Sequence, residues 1–105
     1  MILQLIWAWA ADGQPETTLS VAGDVLTHDG QAYDLSGIPE GGAGIPSGHH
    51  PFAAPIRRTG GVIHATVIVH LDQTAAALQP ADPAWRLEVA HGPVLLPAIR
   101  QEPLA

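Results

Sequence analysis

Apolar side chains alternate with polar ones between short turn sequences along most of this chain. Residues 62–71 show this most regularly, because every second residue is aliphatic. A period of two places such residues on one face of a β-strand, whereas an amphipathic helix needs a period of about 3.6. The alternation therefore predicts an all-β fold. The aliphatic face of this segment consists of Ile63, Ala65, Val67, Val69 and Leu71.

Two turn signals lie close together near the N-terminus. Residues 23–24 (Gly-Asp) and 29–30 (Asp-Gly) both tolerate the positive φ angles of a tight two-residue hairpin turn. If both turns form, Val21 lies opposite Leu26, and Leu26 lies opposite Tyr33. Two independently placed turns then give one consistent apolar face, which predicts a three-stranded meander.

Further strands are predicted on both sides of a long loop. Residues 2–9 alternate and predict an N-terminal strand. Residues 52–71 predict a hairpin that turns near residues 60–61 (Gly-Gly), and Pro55 places the first strand of this hairpin at an edge or a bulge. Residues 36–51 form a Gly- and Pro-rich loop, and loops of this length are usually functional or mobile.

The C-terminal third has weaker signals. Residues 72–83 predict either one or two helical turns over Gln73–Gln79 or a plain loop. Residues 85–89 alternate and predict a strand. The sequence His91-Gly92-Pro93 predicts a turn, and residues 94–96 predict a last short strand.

These segments together predict one β domain over residues 1–105. Short strands separated by regularly spaced turns indicate a small antiparallel β-sandwich or barrel built from consecutive hairpins, with or without one short helix. The three tryptophans fall on apolar strand faces, which favours a place in the core, with an oligomer or partner interface as the alternative.

Charge is sparse and negative. The chain has four arginines, no lysine and ten carboxylates, for a formal net charge of -6. Nucleic-acid binding and attraction to anionic membranes both need a basic surface, so neither partner is predicted. Residues 1–11 are apolar but lack a basic flank, and they are too short to span a bilayer, so no signal peptide is predicted.

Histidine is the only abundant reactive residue. His64 and His70 share a strand face but lie about 20 Å apart at 3.3 Å per residue, which is too far for one metal ion. His49 and His50 lie in the long loop, where adjacent ligands can converge. Solvated surface histidines are the favoured interpretation, and a zinc or nickel site is the alternative.

No catalytic constellation is apparent, so the chain is predicted not to be an enzyme and to need no cofactor. Asp24, Asp29 and Asp34 fall at or beside turns, where aspartate is favoured for local hydrogen bonds. No serine has the Gly-x-Ser-x-Gly context of a nucleophile elbow. The absence of cysteine excludes disulfides, thiolate metal sites and a cysteine nucleophile.

Arg57 and Arg58 are the only adjacent basic residues, and on a strand they point to opposite faces. They solubilise a hairpin tip or, alternatively, anchor a partner's carboxylate or phosphate. With His49 and His50 they form our set of candidate interaction residues.

Three stretches carry a resemblance, namely residues 23–41 (GDVLTHDGQAYDLSGIPEG), 51–71 (PFAAPIRRTGGVIHATVIVHL) and 92–97 (GPVLLP). Together they resemble short uncharacterised proteins encoded among the tail genes of bacteriophages and prophages. The resemblance covers about half of the chain and rests on turn and strand signatures. It implies a phage or bacterial origin, a role near tail assembly, a cytoplasmic or virion-associated location, and no catalytic residues.

These observations predict a non-catalytic structural or protein-interaction module that is phage-derived and tail-associated. Its partner is expected to be a protein or a second copy of the chain in a homo-oligomer. One alternative is a small metal-binding protein or metallohydrolase that uses the loop histidines. Another is a β-sandwich that binds carbohydrate or a small ligand through an exposed tryptophan.

Overall fold

The computed structural model of the chain describes residues 1–101. Within them, β-strands form a five-stranded sheet and a four-stranded sheet in a sandwich-like arrangement, which confirms the predicted all-β class. The strand order is β5-β6-β7-β1-β8 in the larger sheet and β4-β3-β2-β9 in the smaller one. The strands are β1 (Ile2–Trp9), β2 (Leu19–Ala22), β3 (Val25–His28), β4 (Gln31–Asp34), β5 (Ala43–Gly44), β6 (Ile56–Thr59), β7 (Val62–Leu71), β8 (Arg86–Glu88) and β9 (His91–Val94).

The meander β2-β3-β4 has the predicted register. Val21 pairs with Leu26, and Leu26 pairs with Tyr33. The second turn needs positive φ at both central residues, and Asp29 and Gly30 supply it at 48° and 83°. The local turn chemistry therefore fixed the pairing of these three strands.

The hairpin β6-β7 also turns where predicted, at Gly60 and Gly61, whose φ angles are 59° and 79°. Its first strand is shorter than the sequence suggested, because β6 begins at Ile56. Phe52 makes only an isolated bridge to Val67. The aliphatic face of β7 is buried over its whole length.

The N-terminal strand departs from the expected antiparallel pattern. β1 lies inside the larger sheet and pairs in parallel with β7, from Ile2 opposite His64 to Trp9 opposite Leu71. A parallel pair needs a long crossover connection, and here the chain builds the meander of the other sheet between the two strands. The pairing is therefore non-local.

The structure decides between the two alternatives predicted for residues 72–83 and corrects the turn predicted at residues 91–93. Residues 72–81 form turns and loop without a helix, and a single 3-10 helix spans Asp82–Trp85, so Trp85 precedes β8 instead of starting it. The predicted turn at residues 91–93 is wrong, because these residues belong to β9. Pro93 is tolerated there because β9 is an edge strand, where a missing N–H on the outer side breaks no ladder bond.

One hydrophobic core lies between the sheets and is built from the inward faces of the strands. Trp85 is fully buried, and its Nε1–H donates to the Pro80 carbonyl at 3.1 Å. Trp7 is half-buried and stacks on Trp85, with ring centroids 6.3 Å apart. Trp9 is 49% exposed, so only part of the tryptophan set belongs to the core.

Over residues 1–101, no helix combines the length and the hydropathy that crossing a lipid bilayer requires.

Candidate functional site

A groove with a volume of about 880 Å³ is lined by four histidines. We call it the histidine groove. Its walls come from the β3-β4 hairpin, from the last part of the long loop, and from the end of β7. Its lining residues are His28, Asp29, Gln31, Tyr33, Pro46, Ser47, His49, His50, Pro51, Ile68 and His70.

His28 joins the two sheets at the base of this groove. Its Nε2 lies 3.1 Å from the main-chain oxygen of Ile68, and its side chain is 14% exposed. A carbonyl oxygen only accepts, so Nε2 carries the hydrogen. The Nδ1 atom lies 3.8 Å from Asp29 Oδ2, which places a carboxylate on the other side of the ring.

His50 lines the groove from the long loop. Its Nδ1 accepts the main-chain N–H of Phe52 at 3.1 Å, and the two rings lie 5.9 Å apart. Tyr33 packs edge-on against Phe52, with centroids 5.3 Å apart. The groove therefore has an aromatic and imidazole wall whose side chains are already fixed by hydrogen bonds and packing.

Only part of this groove was accessible to sequence reasoning. His49 and His50 were selected, and both line the groove, with His49 exposed and His50 half-buried. His28 and His70 are not among the predicted site residues. His28 shares the inward face of β3 with Leu26, where the pattern predicts a core position. His70 lies on the polar face of β7, which the pattern assigns to solvent. Within residues 1–101, no three His, Cys, Asp or Glu side chains lie close enough together to hold one metal ion.

Arg58 has a structural place and lies outside the groove. Its Nε donates to the Ile38 carbonyl at 2.7 Å, and its Nη2 donates to Asp24 Oδ2 at 2.8 Å. The side chain is 15% exposed. Arg57 lies on the outer face of the larger sheet, next to His64, its partner across the β6-β7 ladder. The structure therefore separates the two arginines.

A second cavity adjoins the histidine groove along β4. It has a volume of about 260 Å³ and is mostly aliphatic. Pro46 lines both cavities. Gln31 and Tyr33 of β4 face the first cavity, whereas Asp34 and the following Leu35 face the second. The remaining lining residues of the second cavity are Gly37, Ile38, Gly44, Ile45 and Ile56.

Four carboxylates have pKa values below their usual range, and two of them, Glu16 and Glu40, connect separate loops. The Arg100 guanidinium bonds to Glu16 and, with the main-chain N–H of Asp72, lowers the pKa of that carboxyl despite its partial burial. The main-chain N–H groups of Gly61 and Gly60 lower the pKa of Glu40, whose carboxylate caps the β6-β7 turn. Neither carboxylate lines the histidine groove.

Comparisons with protein-family models, with curated proteins and with solved structures found no match to this chain.

Proposed function

We propose that the chain is a non-catalytic protein-interaction module that binds an extended segment of a partner protein along β4. The observation that carries this proposal is the position of β4, which is the last strand of its sheet and borders two adjoining cavities. A partner strand added to a sheet edge gains affinity from main-chain hydrogen bonds and specificity from pockets for its side chains.

The outer side of β4 has main-chain groups that point away from β3. His28 and Gln31 flank the two-residue turn and form a hydrogen-bonded pair. The pattern alternates along the ladder, so the N–H groups of Ala32 and Asp34 point outward. Within residues 1–101, neither N–H donates to another main-chain group. These are the donors that an added strand would use.

The two cavities suit successive side chains of such a segment. An aromatic or polar side chain would pack in the histidine groove against His50 and Tyr33. An aliphatic side chain would enter the second cavity beside Ile38, Ile45 and Ile56. Because the walls of the histidine groove are held by internal hydrogen bonds, binding would cost little ordering of the site.

The class of the partner follows from the resemblance stated above. We propose a protein of a phage or prophage tail assembly, encoded near this chain. The resemblance and the edge-strand geometry are independent reasons for a protein partner, since one rests on sequence signatures and the other on strand order.

The test is to co-express the chain with the products of its neighbouring genes and to compare Ala32→Pro with Ala32→Val. Proline removes the outward N–H of Ala32 and breaks no bond of the β3-β4 ladder, so the fold should be kept. We expect Ala32→Pro to weaken binding about tenfold or more, as the loss of a main-chain contact and its neighbours implies. Ala32→Val keeps the N–H and should bind like the wild type.

Folding of both variants is checked by circular dichroism. Binding of Ala32→Pro at wild-type strength contradicts the edge-strand mode. Failure of every neighbouring product to bind contradicts the tail partner.

A second candidate function is binding of a carbohydrate or small ligand at Trp9, whose half-exposed ring meets Trp7 edge-on at 5.3 Å. An exposed indole face is a common platform for such ligands. Replacement of Trp9 by Phe, with tryptophan fluorescence measured during sugar titration, tests this candidate. A sugar-dependent signal that disappears in the variant supports it, and an unchanged signal contradicts it.

A further inference from the structure

The four arginines of this acidic chain fall into two classes. Arg58 pairs with Asp24, and Arg100 pairs with Glu16. Arg57 and Arg86 are exposed, and neither forms an ion pair with a carboxylate of residues 1–101. The structure therefore leaves two guanidinium groups available to an external anion.

These two guanidinium groups lie on the same side of the larger sheet. Arg57 is on β6 and Arg86 is on β8, with β7 and β1 between them. Three strand spacings correspond to about 14 Å between the backbones, and two long arginine side chains can approach each other across that distance. Both side chains line one cleft of about 160 Å³.

The floor of the cleft is polar. His64 lies next to Arg57 across one ladder, and Gln4 lies next to Arg86 across another. Thr66 pairs with Gln4 on the central strands and faces the same side. We call the cleft formed by Arg57, Arg86, His64, Gln4 and Thr66 the outer-face cleft.

We propose that the outer-face cleft is a binding site for a small oxyanion, either a carboxylate or a phosphate group. Guanidinium groups bind both through paired, charge-assisted hydrogen bonds. This site goes beyond the proposed function, because it uses the outer face of the larger sheet and no residue of β4 or of the histidine groove.

Size and donors agree with that ligand class. The cleft, at about 160 Å³, is smaller than the roughly 300–1,000 Å³ of pockets that hold drug-sized ligands, which suits one small anionic group better than a nucleotide or a sugar chain. The Thr66 hydroxyl adds a donor beside the two guanidinium groups. Gln4 donates its side-chain amide to the Asp82 carbonyl at 3.3 Å, so we do not count that amide among the donors to the anion.

One carboxylate lies near the site. Glu88 shares the outer face of β8 with Arg86 and pairs with Ile2, but it does not line the cleft. The cleft is therefore a local cationic feature on a protein whose formal net charge is -6. Long-range repulsion should weaken the binding of an anion, so selective binding there would require direct contacts.

The experiment is a titration of the full-length chain with sodium phosphate and, separately, with sodium acetate at constant ionic strength. It is followed by ¹H–¹⁵N NMR of main-chain amides and arginine Nε–H groups. We expect saturable shifts at Arg57, His64, Thr66 and Arg86, with a dissociation constant of about 1 mM. Tighter binding of phosphate identifies a phosphate ligand, and tighter binding of acetate identifies a carboxylate.

The matched variants are Arg57→Gln, Arg86→Gln and Arg100→Gln, which change the net charge equally. We expect about tenfold weaker binding in the first two, which corresponds to the loss of one charge-assisted hydrogen bond. Arg100→Gln leaves the cleft intact and should bind like the wild type. Glu88→Gln removes a nearby negative charge without touching the cleft and should bind at least as tightly.

Three results would overturn the proposal. They are shifts that do not saturate with either anion, equal shifts at all four arginines, and equal weakening in Arg57→Gln and Arg100→Gln. The spectra themselves report whether each variant is folded. Since no β4 residue is involved, Ala32→Pro should bind the anion normally, so failure of the edge-strand function and failure of this site are distinguishable.

Discussion

The guanidinium of Arg58 lies 2.8 Å from the carboxylate of Asp24, and this ion pair connects the two sheets. Arg58 belongs to the β6-β7 hairpin of the larger sheet, whereas Asp24 belongs to the β2-β3 turn of the smaller one. The same guanidinium also donates to the carbonyl of Ile38 in the long loop at 2.7 Å. One side chain therefore holds three separate segments together.

Replacement of Arg58 by Gln should lower the free energy of unfolding by about 2–3 kcal/mol, because it leaves the Asp24 carboxylate and the Ile38 carbonyl without their donor. Asp24→Asn should cost less, about 0.5–1 kcal/mol, because Asp24 is 38% exposed and solvent screens the pair. Urea unfolding measures both values.

Arg57→Gln is the matched control. Arg57 is the preceding residue and its side chain is exposed, so its replacement should change the free energy of unfolding by no more than about 0.5 kcal/mol. Equal destabilisation by the Arg57 and Arg58 variants would show that the inter-sheet contacts of Arg58 contribute nothing.

Glu16 makes the free energy of unfolding depend on pH in the acidic range. Its bonds to Arg100 and to the Asp72 N–H lower its pKa below the ordinary value of 4.5. A depressed folded-state pKa means that the unfolded chain binds the proton more readily. The stabilisation is therefore fully present above about pH 4.5 and is lost as the pH falls through the folded-state pKa.

Urea unfolding at pH 7 and pH 3 should show a smaller difference between the two pH values for Glu16→Gln than for the wild type. Some acid dependence should remain, because Asp34, Glu40 and Asp72 also have lowered pKa values. Asp12→Asn, in an exposed turn, is the control and should keep the wild-type difference. An unchanged acid dependence in Glu16→Gln would contradict this role.

Local chemistry made the meander and the β6-β7 hairpin predictable from the sequence. Asp29-Gly30 and Gly60-Gly61 specify two-residue turns, and each turn fixes the pairing of the strands that it joins. The parallel partnership of β1 with β7 was not predictable in this way. No turn links those strands, and both have apolar inner faces that would pair with several neighbours.

The candidate site was predictable only at the level of single segments. His49 and His50 stand out because they lie in a long loop, but their neighbours His28 and His70 come from two different sheets. Arg57 and Arg58 stand out as a pair in the sequence. In the structure, Arg57 lines a cleft together with Arg86 of the same sheet, whereas Arg58 forms an ion pair with Asp24 of the smaller sheet. Such neighbours depend on the order of the strands and on how the sheets pack, and neither can be derived from the spacing of residues along the sequence.

Gly60 offers a stabilising substitution. Its φ of 59° is the conformation that asparagine adopts readily at the first central position of a type I′ turn. A Cβ atom there would meet no atom within 4 Å. Gly60→Asn should raise the free energy of unfolding by about 0.5 kcal/mol, because asparagine restricts the unfolded chain more than glycine does.

Thermal unfolding checks this effect. Gly60→Val should destabilise the protein by about 1 kcal/mol or more, because a β-branched residue is strained at positive φ. Gly37→Asn, at a glycine without positive φ, is the control for a surface asparagine. A loss of stability in Gly60→Asn would mean that the turn does not adopt this conformation in solution.

His28 and His50 should both carry their hydrogen on Nε2 when neutral. His28 donates from Nε2 to the Ile68 carbonyl, and His50 accepts the Phe52 N–H at Nδ1. Long-range ¹H–¹⁵N NMR distinguishes the tautomers.

We further expect His28→Leu to lower the free energy of unfolding by about 1–3 kcal/mol, since the Ile68 carbonyl loses its partner where water has little access. The exposed His49→Leu should change stability by no more than about 0.5 kcal/mol. A His28 ring with its hydrogen on Nδ1, or equal effects of the two substitutions, would contradict the inter-sheet hydrogen bond at the base of the groove.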